Sequence, residues 1–367
     1  MRVSAIRGHT GSTRPHVKDN HVMTIRSMAR SMAGALVVLI LALAGAIGAS
    51  GAPGDDQRGR AAFKKEDYYR WIKELSNWGR WGQADEIGTM NLITAAKMKQ
   101  AAALVKDGVS VSLAELQVPN VDVSPYSGKP YGMTVKLEGF ERQASTQPFS
   151  SPPPEDLAVS AHGGRSHIDS LAHMFYNGQG YNGLSYKEVT EKGAARSGIH
   201  LLRNGIVTRG VLVDLPRLKG VPYLKEDAHV YAEDLESWEK KTGLKVSAGD
   251  ALFVRVGHWA RRKATGDKSN RSAGLDPSLI PWLKARGVAV LGSEAAHDVM
   301  PNEYQIGPAP VHWFALVVLG VTLIDYLDLD PLSEVAATHN RWEFLLTAAP
   351  LPVQGGTGSP INPIAVF

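Results

Sequence analysis

Four side chains that can bind a metal or move a proton lie within thirteen consecutive residues of this sequence. The stretch AHGGRSHIDSLAH, residues 161–173, contains His162, His167, Asp169 and His173. Imidazole nitrogen and carboxylate oxygen, without sulfur, are ligands that suit Zn²⁺ or Mn²⁺. A single histidine is more often a satisfied core or surface residue, but four such groups in one stretch favour a metal site.

The spacing of these residues predicts how they could converge. His167 and Asp169 are two residues apart, so on an extended segment both side chains project from the same side. Asp169 and His173 are four residues apart, so they share one face of a helix that begins at Asp169. We therefore expect a strand-to-helix junction here, with His162 joining from the glycine-bearing loop before it.

The elements around this stretch predict an α/β fold. Helical periodicity begins near Ala62, and Thr94 is placed as the N-cap of a second helix. The second half alternates apolar strands, such as GIVTRGVLVDL, DALFVRVG, VAVLGSE and VTLIDYL, with helices that end at glycine. Such strands indicate a sheet covered on both faces. We expect one domain over residues 63–367 with an N-terminal helical extension, and a long loop region over residues 117–160.

The first 52 residues have the layout of an export leader. Two arginines precede the apolar run AGALVVLILALAGAI, which gives way to small residues at positions 48–52. Because a membrane span needs roughly 18 or more apolar residues, a cleaved signal peptide is favoured over an anchor. We expect translation to start at Met23, residues 53–62 to form a linker, and the protein to be exported without stable membrane association after cleavage.

Charge and cysteine content exclude several classes of function. The 367 residues carry a formal net charge of +4, but residues 1–52 hold six of the 40 Lys and Arg and one of the 36 acids. The remainder has a net charge of about −1, with 34 basic and 35 acidic residues, and has no basic stripe that would bind nucleic acid. Cysteine is absent, which excludes disulfides and a thiol nucleophile.

The histidine stretch resembles the metal signature of the cyclase family of hydrolases, which includes bacterial kynurenine formamidases and isatin hydrolases. The family pattern is H-x-G-T-H-x-D-x-x-x-H, and SHIDSLAH supplies its H-x-D-x-x-x-H part. The segments RWGQADEIGTMNLIT, FYNGQGYNG, GIVTRGVLVDL and GGTGSPINPIAVF are similar to the longer-chain bacterial branch. Arg165 and Ser166 replace the Gly-Thr pair, and His162 lies five residues before His167 instead of four.

The resemblance implies the ligand set and the catalytic base. His167 and Asp169 would hold a divalent Zn²⁺ or Mn²⁺, and His162 would join them. The family's distal ligands, a histidine and a later glutamate, correspond to His312 and Asp325 in PVHWFALVVLGVTLIDYL, so one or two ions are expected. His173 is expected to act as the general base, or else as a further ligand.

The resemblance also implies the fold and the reaction. We expect a mixed, barrel-like β-sheet flanked by helices, of the swivelling β/β/α type, and a homodimer or higher homo-oligomer. The expected activity is hydrolysis of a small, cyclic or aromatic amide, lactam or ester by metal-activated water. The alternatives are a secreted metal-containing binding protein without turnover, and a lyase or cyclase that uses the same metal site.

Three further residues are candidates for substrate contact. Trp78 and Trp81 could form an aromatic wall, although tryptophan more often packs in a core. His297, in GSEAAHD, follows an apolar strand and could line the pocket or support a ligand from behind.

Overall fold

The computed structural model describes residues 63–116, 132–135, 155–158, 160–162 and 165–367. All of them belong to one unit that spans residues 62–367. The predicted leader, the predicted linker and most of the predicted loop region lie outside the described residues, and these remain predictions. Within the described part, no helix has the length and apolar character needed to cross a bilayer.

Short helices surround the sheet. The helix predicted after Thr94 and those predicted to end at glycine are present, whereas three other α-helices of the described residues were not predicted. The α-helices are α1 (Lys65–Glu74), α2 (Ala95–Ala102), α3 (Leu215–Lys219), α4 (Ala232–Thr242), α5 (His258–Thr265), α6 (Ile280–Arg286), α7 (Pro310–Trp313) and α8 (Asp330–His339). A π-helical segment, Phe314–Leu319, continues α7, and 3₁₀ turns cover Gly88–Leu92, Tyr181–Gly183, Tyr186–Glu188, Ile199–Leu202 and Pro277–Leu279.

The strands include every segment of the second half that was predicted as a strand. They are β1 (Ser110–Ser112), β2 (Gly132–Val135), β3 (Glu155–Ala158), β4 (His167–Asp169), β5 (Val189–Thr190), β6 (Gly193–Ala194), β7 (Ile206–Asp214), β8 (His229–Val230), β9 (Ala251–Arg255), β10 (Gly274–Leu275), β11 (Val290–Ser293), β12 (Thr322–Asp325), β13 (Glu343–Ala348), β14 (Gly358–Pro360) and β15 (Ile364–Val366).

One nine-stranded mixed sheet organises the described residues, in the order β1-β15-β13-β7-β9-β11-β12-β4-β14. The four strands from β7 to β12 in this order run parallel, and the strands on either side pair antiparallel. The sheet curls into a half-barrel flanked by helices. The predicted α/β fold with a mixed, barrel-like sheet is therefore confirmed.

The central strands are buried on both faces, which explains their continuous apolar sequence. In β7, Val211 and Val213 pack into one core cluster while Leu212 packs into the other. In β9, Leu252 and Phe253 divide between the clusters in the same way. Each such side chain contributes roughly 1.5–3 kcal/mol of stability when fully buried. The two clusters hold the sheet rigid between its covering layers.

The residues predicted to cap the ends of helices do so. The hydroxyl of Thr94 accepts a hydrogen bond from the Lys97 amide at 3.2 Å and caps α2. Gly243, Gly287 and Gly320 adopt the left-handed backbone conformation after α4, α6 and the π-helical segment. These glycines end the helices, and the chain then continues into the parallel strands β9, β11 and β12.

One expectation is wrong within residues 117–160. Gly132–Val135 and Glu155–Ala158 form an antiparallel two-stranded sheet with Met133 opposite Leu157, where only loop was predicted. The proline- and serine-rich composition of the surrounding sequence obscured two four-residue segments that satisfy each other's backbone hydrogen bonds.

Candidate metal centre

Strand β4 positions the middle of the histidine stretch. It lies between β12 and β14, with His167 opposite Asp325 and Asp169 opposite Leu323 on one side. Side chains alternate along a strand, so His167 and Asp169 share one face while Ile168 enters the core from the other. The predicted extended segment is confirmed, and it delivers two potential ligands to one face of the sheet.

Two imidazoles face the same oxygen of Asp169. His162 Nδ1 lies 2.8 Å and His167 Nε2 3.5 Å from Asp169 Oδ1. The Nδ1 atom of His167 lies 2.6 Å from the Arg165 carbonyl oxygen. Because a carbonyl only accepts, His167 carries its proton on Nδ1 and turns the Nε2 lone pair towards Asp169. A neutral imidazole in this tautomer is ready to bind a cation.

Two further imidazoles face the other oxygen of Asp169. His312 Nε2 lies 3.1 Å and His173 Nε2 3.9 Å from Asp169 Oδ2. The potential ligand atoms of His162, His167 and Asp169 lie within 4.8 Å of one another, and so do those of Asp169, His173 and His312. Asp169 is thus shared by two groups of three.

The predicted helix at Asp169 is wrong, although His173 still reaches the site. Residues 170–173 form a turn in which the His173 amide donates to the Ser170 carbonyl at 3.1 Å. The Ser170 hydroxyl accepts from the Ala172 amide at 3.3 Å, a local side-chain bond that competes with helix formation. One tight turn therefore places His173 over Asp169 and stacks it on His162, with ring centroids 3.9 Å apart.

The distal residues arrive from the two elements predicted by resemblance. Asp325 ends β12, and its Oδ2 lies 3.7 Å from His312 Nδ1 and 3.8 Å from His167 Nε2. His312 lies on α7, whose first amides are held by a buried carboxylate: Asp298 accepts from Val311 at 2.7 Å and from His312 at 3.1 Å. No local sequence pattern marks Asp298, because it binds the first amides of α7 across thirteen residues of sequence.

Charge in the site is distributed between carboxylates and imidazoles. Burial by itself would raise the pKa of Asp169, but the imidazoles of His162 and His312 in close contact with its oxygens lower it well below the usual range. The charges of Asp325 and Asp169 overcome burial and raise the pKa of His312 to about 9. Burial lowers the pKa of His173 to about 4 and raises that of Asp298 to about 7.

The donor atoms fit a divalent cation. Both oxygens of Asp169, Nδ1 of His162 and both ring nitrogens of His312 are buried without a well-aligned hydrogen-bond partner among the described residues. Native proteins leave few buried polar atoms without a hydrogen-bond partner, so the close approach of these carboxylate oxygens and imidazole nitrogens needs a cause other than hydrogen bonding. A cation that accepts lone pairs from Asp169 and from one nitrogen of each imidazole would supply it, and nitrogen with carboxylate oxygen is the donor set of Zn²⁺ and Mn²⁺.

A cavity of about 910 Å³ opens beside this cluster. His162 and His167 form one part of its wall, and Arg165 lines it next to them. The rest combines polar groups such as Glu115 with apolar side chains such as Leu351. Its size and mixed lining suit a small organic molecule.

The three candidate substrate contacts lie elsewhere. Trp78 donates its indole N–H to the Val317 carbonyl at 2.6 Å, and Trp81 lies beneath the Arg80 guanidinium. Neither tryptophan lines the 910 Å³ cavity. His297 is buried, 2.7 Å from Asp325 Oδ1, and also lies off that cavity. Their contact with substrate remains a prediction.

Comparisons with known proteins identify the family of this chain. The Cyclase family model, described as "Putative cyclase", matches residues 89–297, which include the whole histidine stretch. A search of curated proteins found no match. A crystal structure of a novel cyclase is 29% identical, with a TM-score of 0.71 over 81% of this chain and 99% of its own.

Isatin hydrolases are also among the similar structures. Isatin hydrolase A from Labrenzia aggregata, bound to benzyl benzoate, is 20% identical with a TM-score of 0.51 over 72% of this chain and 94% of its own. An isatin hydrolase bound to the product analogue thioisatinate is 19% identical with a TM-score of 0.48 over 73% and 95%. Since the family model covers more than half of the sequence, and the histidine stretch lies within it, the chain belongs to the cyclase family.

Proposed function

We propose that this chain is a metal-dependent hydrolase of small amides, lactams or esters. The observation that carries the proposal is the sharing of Asp169 between two groups of imidazoles beside a cavity of about 910 Å³. His162, His167 and Asp169 would hold one divalent cation, and Asp169, His312 and Asp325 would hold a second where two are bound. When bound, the cation lowers the pKa of a coordinated water towards 7 and polarises a carbonyl oxygen.

The residues of the chain supply proton transfer and orientation. Of the two imidazoles that face Asp169 Oδ2, the side chain of His173 is 23% exposed and that of His312 is 5% exposed. His173 is therefore the imidazole better placed to exchange a proton with a substrate, and we assign it the general base. It would take the proton from the attacking water and return it to the leaving nitrogen or oxygen.

The cavity supports the substrate class. Its apolar side chains would cover a ring, while Arg165, Glu115 and Asn362 offer hydrogen bonds to polar substituents. Isatin, a bicyclic lactam, is included among the proposed substrates because isatin hydrolases share this fold. Specificity within this class would depend on the cavity wall.

We also propose that the protein acts after export and as a homo-oligomer. Export is supported by the leader-like composition of residues 1–52. Neither proposal depends on the chemistry of the metal centre.

Metal analysis and a substrate panel test the proposed function together. The purified protein is analysed for Zn²⁺ and Mn²⁺, then incubated with N-formyl aromatic amines, isatin, lactones and lactams. Opening a lactone or lactam adds one water to its mass, and an N-formyl aromatic amine splits into formate and the free amine, so mass spectrometry identifies hydrolysis. Where the leaving group is an alcohol or an aromatic amine a proton is also released, which pH-stat titration measures. A product of unchanged mass or with loss of water would instead support a cyclase or lyase. Stoichiometric metal with ligand binding and no turnover would support a binding protein.

A further inference from the structure

A second buried histidine lies behind the carboxylate of Asp325. His297 Nε2 lies 2.7 Å from Asp325 Oδ1, while Asp325 Oδ2 faces His167 and His312. One oxygen of Asp325 is therefore directed towards the proposed cation site and the other towards His297. A ligand carboxylate held in this way loses its rotational freedom.

The backbone of His297 is held in an uncommon conformation. Its φ is +62°, in the left-handed region that residues other than glycine seldom adopt. Two hydrogen bonds fix it there: the His297 amide donates to Ser293 Oγ at 3.2 Å, and its carbonyl accepts from the Leu275 amide at 2.7 Å. Strain of this kind persists where the surrounding structure over-determines a residue, and it is concentrated at functional sites.

Two buried polar atoms on the far side of His297 lack protein partners. Glu294 uses Oε2 to accept from the amides of Val256 and Gly257, each at 2.7 Å. Its Oε1 has no hydrogen-bond partner among the described residues, and neither has Nδ1 of His297. His297 Nε2 and Asp325 Oδ1 are in close contact at 2.7 Å, without a well-aligned hydrogen bond. Both side chains are almost fully buried.

Glu294 and His297 line the same small cavity. Its volume is about 10 Å³, close to that needed for one water molecule. The other lining residues are mostly apolar: Val254, Val256, Ala273, Gly274, Leu275, Ser293 and Ala295. The hydroxyl of Ser293 is already used, because it donates to the Ala295 carbonyl.

We propose that this cavity binds one water that donates one hydrogen to Glu294 Oε1 and the other to His297 Nδ1. With Nδ1 accepting, His297 carries its proton on Nε2 and donates it to Asp325 Oδ1. Glu294 and His297 are then positioning residues that present Asp325 Oδ2 to the cation. This inference rests on the metal site of the proposed function.

Determining which ring nitrogen of His297 carries the proton tests the proposed water site directly. Metal-free protein labelled with ¹⁵N-histidine is examined by NMR at neutral pH, and the His297 signals are assigned by their loss in His297→Asn. The proposal requires a proton on Nε2 and an accepting Nδ1. Glu294→Gln should keep this tautomer, since its amide can still hold the water, whereas Glu294→Leu should give a mixture. A proton on Nδ1 of His297 in the wild-type protein overturns the proposal. This outcome can be observed even if the Glu294 variants do not fold.

Cation affinity tests the consequence for Asp325. Asparagine tolerates the left-handed backbone but is too short to reach Asp325, so His297→Asn should weaken Mn²⁺ binding by about 10- to 100-fold in calorimetric titration. His258→Asn is the matched control, because His258 is also buried but its Nδ1 contacts Ser272 Oγ at 3.3 Å. Equal affinity in His297→Asn and the control contradicts the positioning role. If the wild type binds no metal, the proposed function fails, while the NMR result still decides the water site.

Discussion

His167 and Asp325 are direct cross-strand partners, and their side chains meet on the metal-binding face of the sheet. The register pairs His167 on β4 with Asp325 on β12, and His167 Nε2 lies 3.8 Å from Asp325 Oδ2. The two residues are 158 positions apart in the sequence. An antiparallel pairing therefore joins the histidine stretch to Asp325, one of the two proposed distal ligands, and a shift of one residue would turn either side chain to the opposite face.

Replacing Asp169 with alanine should abolish metal binding. Asp169 is the residue shared by both groups of donors, so its loss should weaken Zn²⁺ or Mn²⁺ binding by at least about 100-fold. Metal content after dialysis measures this, with Asp107→Ala at an exposed surface carboxylate as the control. Full metal content in Asp169→Ala would refute the assignment of the site.

Replacing His173 with alanine should separate catalysis from metal binding. If His173 is the base, His173→Ala should retain metal and fold while kcat falls by roughly 10² to 10⁴. His312→Ala, which removes an imidazole proposed as a ligand, should lose metal and activity together. Loss of metal in His173→Ala as complete as in His312→Ala would make His173 a ligand.

The carboxyl group of Glu294 should make stability depend on pH. Burial raises its pKa from 4.5 to about 7, so the folded protein binds this proton more tightly than the unfolded chain does. The stabilising contribution is complete below about pH 4.5 and is lost as the pH rises to about 7, a change on the order of 3 kcal/mol.

Glu294→Gln removes the titrating carboxyl group, so it tests whether Glu294 makes the protein less stable as the pH rises. The free energy of unfolding, measured with urea from pH 4.5 to 7.5, should fall more steeply with pH in the wild type than in the variant. Parallel curves for the two proteins would show that Glu294 has the same pKa in the folded and unfolded states.

Export should leave a shortened N-terminus. The protein recovered outside the cytoplasm should begin between about residues 50 and 54, where small residues follow the apolar run. N-terminal sequencing or intact mass measures this. Recovery of the intact N-terminus from the membrane fraction would instead indicate an anchor.

Local patterns in the sequence were sufficient for the fold class and for part of the site. Apolar strands that alternate with glycine-terminated helices predicted an α/β sheet covered on both faces, and Thr94 predicted the start of α2. The spacing of His167 and Asp169 predicted a shared face, because alternation along a strand is a local property. The turn after Asp169 was missed, since the hydrogen bond that the Ser170 hydroxyl accepts from the Ala172 amide outweighs helical spacing.

Residue type and short-range spacing are local properties, so the side chains that can bind a cation are recognisable from the sequence. Their arrangement depends on long-range packing. Strand pairing brought Asp325 to His167, Asp298 oriented α7 so that His312 faces Asp169, and the position of His297 behind Asp325 followed from its left-handed backbone after β11. These relationships join residues far apart in the chain, and the packing that selects them depends on the whole fold.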